Sequence, residues 1–204
     1  MSSIRRQRLL DAAEELFLSR GFASVSTNDI ARLAGCNHAL IHYYFGNKED
    51  LFRQLFLAKI EHILTTLLAN IAPDKPVLDQ VDALIDAYFN FLTENRNLPF
   101  FIINELTLNP ERRQYLKQHF FDLPITNEVY QKVNDMIQKE VYDGKLRPIQ
   151  TNDLLLNIMG LTIGSFLVLP TYQHFCEKTP QQIEQYLNNR RQVVKTTIRN
   201  SLEK

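Results

Sequence analysis

Apolar residues recur at helical spacing through nearly the whole chain. The first stripe has i, i+4, i+7, i+8 spacing and predicts a helix over 4–19. It consists of Leu9, Ala13, Leu16 and Phe17. Similar stripes and their boundary signals predict further helices at about 26–34, 37–44, 48–70, 78–94, 99–108, 110–121, 126–142, 151–169 and 180–202. No segment alternates with period two for long enough to predict a strand, so the pattern predicts an all-α protein.

Local signals divide residues 26–44 into two short helices joined by a glycine turn. Ser26 followed by Asp29 has the form of a capping box, and Gly35 predicts the end of that first helix. Asn37 can cap the second helix, which runs to about Tyr44. The apolar positions expected to hold the two helices together are Ile30, Leu33, Ala34 and Ile41.

Two short helices that meet at a tight turn, with a third helix before them, are typical of a helix-turn-helix. The second helix of this motif enters the major groove of DNA. Its outer face here is short, polar and aromatic, and it has little reason to face water unless something binds there. That face presents His38, Ala39, Leu40, His42 and Tyr43.

A long connector and a larger helical body follow the helix-turn-helix. We therefore expect a DNA-binding domain at 1–47 and a second helical domain at 48–204. The sequence Ala-Pro-Asp-Lys-Pro at 72–76 interrupts the helical pattern at the end of the connector.

Charge narrows the way in which the chain can bind DNA. Its 23 basic and 23 acidic side chains give a formal net charge of zero, which excludes binding by bulk charge alone. Residues 1–53 hold seven basic and six acidic side chains, a net charge of +1. Affinity for DNA must therefore come from individually placed contacts and from dimerisation.

Five motifs in about the first fifty residues occur in a fixed order with regular gaps. Residues 6–17 read R-x-x-L-L-x-A-A-x-x-L-F, and Gly21-Phe22 follows. Residues 29–35 read D-I-A-x-x-A-G, and an aromatic cluster ends at Phe45. Residues 48–51 read K-E-x-L. This segment resembles the DNA-binding domain of the TetR/AcrR family of transcriptional regulators.

The resemblance implies an N-terminal three-helix DNA-binding domain and a C-terminal helical domain for ligand binding and dimerisation. It implies a repressor that binds a palindromic double-stranded DNA operator as a dimer. A small apolar or amphipathic effector would release the protein from DNA. No cofactor, bound metal or membrane partner is expected, and the absence of an apolar signal core predicts a cytoplasmic protein.

The resemblance also assigns roles to individual positions. Ser26 and Thr27 would hold a phosphate at a helix N-terminus, and Lys48 would contact the opposite edge of the groove. Tyr43 would reach the DNA backbone. The remaining predicted DNA-contacting residues are Asn37 and the base-facing His38, Ala39, Leu40 and His42. The family often has Lys-Gly at 38–39 and Tyr at 42, so these departures leave the operator sequence open.

The body carries the predicted dimer interface and ligand site. The family dimerises through two long helices, which here are 151–169 and 180–202. Gly160 and Gly164 leave a groove on the first of these for close packing, either within the subunit or across a two-fold axis. Family cavities are lined by aromatic and amphipathic groups; the candidates here are Phe89, Phe100, Asn104, Tyr130, Asn134 and Phe166.

Two other functions are consistent with parts of the sequence. The chain could be a constitutive DNA-binding protein without an effector, or a helical small-molecule carrier or enzyme without DNA binding. His38 and His42 have the i, i+4 spacing of two zinc ligands, but no third ligand lies nearby in sequence. The sequence contains no nucleophile elbow, phosphate loop or dinucleotide-binding fingerprint, so we do not expect an enzyme.

Overall fold

The computed structural model describes residues 2–204, except for the side chains of residues 2, 3 and 121. Within that range the chain is helical, with no strand beyond an isolated bridge between Leu146 and Glu203. The all-α prediction is therefore confirmed. The helices are α1 (Ser2–Arg20), α2 (Thr27–Ala34), α3 (Ala39–Phe45), α4 (Lys48–Ala69), α5 (Val77–Glu94), α6 (Leu98–Leu108), α7 (Pro110–Asp122), α8 (Pro124–Tyr142), α9 (Thr151–Leu167), α10 (Leu169–Phe175) and α11 (Pro180–Leu202).

One predicted helix is divided. The apolar pattern predicts a single helix over 151–169, but α9 ends at Leu167 and the separate helix α10 begins at Leu169. Pro170 lies in the first turn of α10, where its missing N–H is tolerated. In the interior of a longer helix the same residue would remove a hydrogen bond and clash with the preceding turn. The proline therefore ends one helix and starts the next.

The chain forms two compact units, and the first contains the helix-turn-helix. This N-terminal unit comprises Met1–His62 and Phe101–Asp122. It therefore extends past residue 47 and takes in most of α6 and α7 from later in the chain. Its buried core includes the predicted α1 stripe together with Ile30, Ile41, Phe45, Leu51, Phe52 and Phe101.

The prediction that Leu33 lies on the inner face of α2 is wrong. Ile30, Ala31 and Ala34 are buried, but Leu33 is 47% exposed. Each residue turns the helix by about 100°, so Leu33 lies roughly 100° around from the mean direction of the three buried side chains. Leu33 therefore does not contribute to the inner face predicted for it.

The second unit comprises Ile63–Phe100 and Leu123–Lys204 and has its own core. One apolar stripe of α11 is buried, and it consists of Ile183, Leu187, Val194 and Ile198. Ion pairs fasten α11 to α5 alongside this stripe. They join Arg199 to Asp79 and Asp82, and Lys195 and Arg191 to Asp86.

The apolar run Thr151–Phe175 is long enough and apolar enough to cross a membrane. A third of its most apolar 18-residue stretch is buried inside the structure. The buried side chains of α9 include Leu154, Ile158, Thr162 and Phe166, which follow one helix face at i, i+4 spacing. One buried face is typical of a core helix in a folded protein.

Candidate nucleic-acid interface

A complete capping box fixes the start of α2. The Ser26 hydroxyl accepts a hydrogen bond from the Asp29 backbone N–H at 3.1 Å. The Asp29 carboxylate accepts from the Ser26 N–H at 3.0 Å and from the Ser26 hydroxyl at 2.6 Å. These hydrogen bonds from Ser26 hold the pKa of Asp29 below its usual value of 3.8. The predicted capping box is therefore confirmed.

The same geometry limits how Ser26 can bind a phosphate. Its hydroxyl proton is already donated to Asp29, and a phosphate oxygen can only accept. A direct bond from this hydroxyl to DNA would require Asp29 to release it. The backbone N–H groups of Thr27 and Asn28 are the better donors, because the first turn of a helix leaves its amides without intrahelical partners.

Gly35 sets the angle between α2 and α3. Its φ of +61° places it in the left-handed region, and its N–H donates to the Arg32 carbonyl at 3.2 Å. The next amide, of Cys36, donates to the Ala31 carbonyl at 2.9 Å. These two bonds close the helix end and direct the chain into α3.

Helix α3 presents one face to the core and the other outward. Ile41 and Phe45 are buried, and Asn37 Oδ1 accepts a hydrogen bond from the Ala39 N–H at 2.8 Å. Leu40 is half-buried and packs against the core, so only part of this predicted base-facing side chain is available to DNA. Tyr43 is 78% exposed, as an outward-facing residue requires.

The outward face is organised by contacts among its own residues. Thr27 Oγ1 and His38 Nε2 are hydrogen-bonded at 2.8 Å, which joins the start of α2 to the start of α3. The His38 and His42 rings meet edge to face with centroids 5.1 Å apart. Tyr43 and Tyr44 meet in the same way at 5.0 Å. The structure thus links Thr27, His38 and His42 through a series of contacts, and Tyr43 follows His42 on the same helix.

Lys48 is turned into the N-terminal unit rather than extended from it. Its Nζ donates to the carbonyls of Phe22 at 3.0 Å and Val25 at 2.8 Å, and it lies 4.1 Å from the centroid of the Phe22 ring. Burial, followed by the charge of Arg112, lowers the pKa of Lys48 below 10.5. An ammonium group has three donors, so one N–H remains for the predicted contact with DNA.

A buried arginine, which no sequence pattern singled out, joins three helices of the N-terminal unit. Arg112, on α7, is 3% exposed. Its guanidinium donates to both carboxylate oxygens of Glu49, at 2.9 and 2.6 Å, and also to Glu105. It also lies 3.9 Å from the Phe22 ring centroid and 4.3 Å from that of Phe52. Arg112 therefore ties α6 and α7 to the first turn of α4.

The predicted ligand-site residues are only partly brought together. Phe89 and Phe166 are buried in the second unit with ring centroids 5.8 Å apart. In the same unit, Tyr130 is half-buried and Asn134 accepts a hydrogen bond from Thr151 at 2.9 Å. Phe100 is 63% exposed, and Asn104 is exposed and belongs to the N-terminal unit. These last two residues do not line the interior of the second unit.

Tyr88 is an additional candidate for the ligand site. Burial raises the pKa of its phenol, and its side chain keeps part of its accessible surface. It directly precedes the buried Phe89 on α5, and no sequence pattern distinguished it from the other aromatic residues of the second unit.

Comparisons with known proteins agree with this geometry. Residues 9–55 match the family described as bacterial regulatory proteins, tetR family. The chain is 26% identical over 155 residues to the HTH-type transcriptional regulator YfiR of Bacillus subtilis, covering 72% of this chain and 70% of the relative. It is 28% identical over 114 residues to the fatty acid metabolism regulator protein of the same organism, covering 54% of this chain and 58% of that relative.

The similarity of fold extends over nearly the whole chain. A structure from Saccharomonospora viridis, solved in complex with choline, superposes with a TM-score of 0.74. The superposition covers 98% of this chain and 97% of that chain at 20% identity, so it shows a common fold. The matched segment 9–55 contains the whole helix-turn-helix. The resemblance of the N-terminal segment to the TetR family is therefore confirmed.

Proposed function

We propose that the protein is a homodimeric repressor that binds a palindromic operator and is released by a small apolar or amphipathic effector. The observation that carries the DNA-binding part is the braced, outward-facing surface of α3, with Tyr43 exposed and His38 and His42 beside it. A side chain in this position can reach a groove without unfolding any part of the N-terminal unit. We also propose a cytoplasmic, non-enzymatic protein, because its relatives are transcriptional regulators.

The proposed dimer uses α9 and α11. Leu156 is 65% exposed, and Met159 and Gly160 are also exposed on α9. A Cβ added at Gly160 or Gly164 would meet no other described heavy atom within 4 Å. Close packing within the subunit would have filled that space, so these glycines favour a helix supplied by a second copy. An isologous pair of this kind suits a palindromic operator.

The proposed effector binds in the second unit, near Phe89, Phe166 and Tyr88. Two buried aromatic rings with one phenol hydroxyl nearby in sequence favour an apolar or amphipathic molecule. One relative is a fatty acid metabolism regulator, and one protein of similar fold was solved with choline. These names supply the first two compounds for testing, a long-chain fatty acid and choline.

Release requires that the effector prefer a conformation in which the two DNA-reading surfaces no longer fit successive major grooves. Those grooves are about 34–36 Å apart. Operator and effector must then weaken each other's binding by the same factor. Helix α4 is the natural connection, because its sequence belongs partly to each unit.

Footprinting on the DNA that flanks the protein's own gene tests DNA binding. We expect a protected palindrome that is lost in Tyr43→Ala. The matched control is Tyr142→Ala, because Tyr142 is also an exposed tyrosine and lies at the end of α8 in the second unit. Equal loss in both variants, or no protected site with the folded wild-type protein, would overturn the proposal.

Thermal unfolding with oleic acid or choline tests the effector. The expected result is a higher Tm together with release of the footprinted DNA. A compound that raises Tm but leaves operator affinity unchanged would show binding without regulation. If neither these compounds nor a wider set of hydrophobic compounds raises Tm, a constitutive DNA-binding protein becomes the better description.

A further inference from the structure

His42 lies on the part of α3 that is available to DNA. It is exposed, and its ring contacts that of His38, one helical turn earlier, at 5.1 Å. Tyr43, the next residue, is 78% exposed. A group carried at this position on a recognition helix can meet either a phosphate or a base edge.

A backbone hydrogen bond fixes the tautomer of His42. Its Nδ1 lies 2.7 Å from the Gly46 carbonyl oxygen. A carbonyl oxygen can only accept, so Nδ1 must carry the proton. Neutral imidazole has a single N–H, which leaves Nε2 as a bare acceptor. Among the described residues no hydrogen-bond partner is found for this Nε2.

The turn after α3 holds that carbonyl in place. Gly46 has a φ of +80°, and its own N–H donates to the His42 carbonyl at 3.0 Å. Residue 42 and residue 46 are therefore joined twice, once through the backbone and once through the imidazole. This double connection orients the ring before any DNA arrives.

Because Nε2 of neutral His42 is a hydrogen-bond acceptor, it can bond only to a hydrogen-bond donor on the DNA. Phosphate oxygens only accept hydrogen bonds, so neutral His42 cannot bond to one directly. In the major groove the base donors are the N6 amino group of adenine and the N4 amino group of cytosine, whereas guanine and thymine present acceptors there. We propose that His42 is a specificity-determining residue that accepts a hydrogen bond from an adenine or cytosine amino group. This inference rests on the proposed DNA-binding function.

The test begins with selection of binding sites from a randomised duplex pool at about pH 8. Wild-type protein and His42→Phe are compared, with His42→Gln as a variant that restores an acceptor. We expect one position per half-site to be adenine or cytosine on one strand, and that preference to disappear in His42→Phe. Thermal unfolding and circular dichroism confirm that each variant is folded.

A second experiment replaces the selected base with an analogue that lacks the amino group in the major groove. At an adenine position, 2-aminopurine keeps pairing with thymine but carries no amino group in the major groove; at a cytosine position, pyrimidin-2-one has the same effect. We expect the wild-type protein to lose affinity by about tenfold or more, and His42→Phe to lose little. Tyr43→Phe is the control, and it should weaken binding to all sequences alike while keeping the preference.

Three outcomes oppose the proposal, and they can be distinguished. If the position that depends on His42 is selected as guanine or thymine, His42 acts as a donor and the assignment is wrong. If no position depends on His42 while DNA is still bound, the assignment is wrong and the proposed function stands. If the folded wild-type protein retains no duplex at all, both fail together.

Discussion

At the residue scale, Arg112 is a buried charged side chain of the N-terminal unit that is held by ion pairs. It is almost fully buried, and its guanidinium donates three hydrogen bonds to two carboxylates, those of Glu49 and Glu105. Arg112→Ala would remove the buried partner of both carboxylates, and Glu49 would keep its longer contact to Arg53 at 3.6 Å. We expect a loss of about 3 kcal/mol or more in the free energy of unfolding, measured by urea denaturation.

The adjacent Arg113 supplies the matched control. It is exposed, and its guanidinium makes a hydrogen bond to the Leu106 carbonyl at 3.3 Å. Arg113→Ala should change the free energy of unfolding by no more than about 0.5 kcal/mol. Arg112→Lys should fall between the two variants, because an ammonium cannot bind a carboxylate through two parallel bonds. Equal effects at 112 and 113 would contradict the role given to the buried ion cluster.

The ion pairs of Arg112 with Glu49 and Glu105 make the free energy of unfolding depend on pH. Burial raises the pKa of Glu49, but hydrogen bonds from Arg112 and its charge outweigh that effect, so the pKa lies below 4.5. A carboxyl whose pKa is lower when folded stabilises the protein above its unfolded value, and this contribution is lost as the pH falls through the folded value. Unfolding by urea at pH 6 and at pH 3 should show a smaller difference for Glu49→Gln than for the wild type. A difference of the same size would exclude Glu49 as a source of the acid sensitivity.

At the scale of elements, the turn between α2 and α3 depends on glycine. Gly35 has φ +61° and open space around an added Cβ, so Gly35→Ala would introduce backbone strain without a steric clash. The expected cost is about 1–2 kcal/mol in the free energy of unfolding. The loss in the free energy of operator binding should be larger, because the orientation of α3 relative to α2 would change. Gly144→Ala is the control, because Gly144 also has positive φ, at +71°, but lies in the second unit. It should lose stability and keep its affinity for DNA.

Local signals explain why the helix-turn-helix could be predicted from the sequence. The capping box at Ser26 and the left-handed turn at Gly35 are encoded within a few residues of where they act. The contact between Glu49 and Arg112 joins residues that are 63 positions apart, and no periodicity connects them. The hydrogen bonds of His42 and Lys48 could not be predicted either. The sequence indicates which side chains lie on a helix, but it does not indicate which backbone carbonyl each side chain contacts. Periodicity also missed the division at Pro170, since the apolar spacing continues across it.

At the scale of the whole molecule, the proposed binding of a palindrome requires two copies of the chain, and the proposed contact between them is the exposed surface of α9. Leu156 and Met159 are exposed there beside Gly160, and an added Cβ at this glycine meets nothing within the described subunit. Gly160→Ala should therefore stabilise an isolated subunit by about 0.5–1 kcal/mol, because alanine is the better helix former. In a dimer the same methyl group would separate the helices that pack across the two-fold axis.

Gly160→Ala is therefore expected to stabilise the isolated subunit and to weaken the dimer. Leu156→Arg tests the proposed dimer interface more directly. A charge at this exposed position costs the subunit little, but it would be desolvated in a dimer interface without a partner. We expect sedimentation equilibrium to give a dimer for the wild type, weaker association for Gly160→Ala and a monomer for Leu156→Arg. Leu108→Arg is the control, because Leu108 is another exposed leucine and lies on α6 in the other unit. A Leu156→Arg protein that remains dimeric would place the two-fold axis elsewhere, whereas a monomer that also loses operator binding would show that both half-sites must be occupied together.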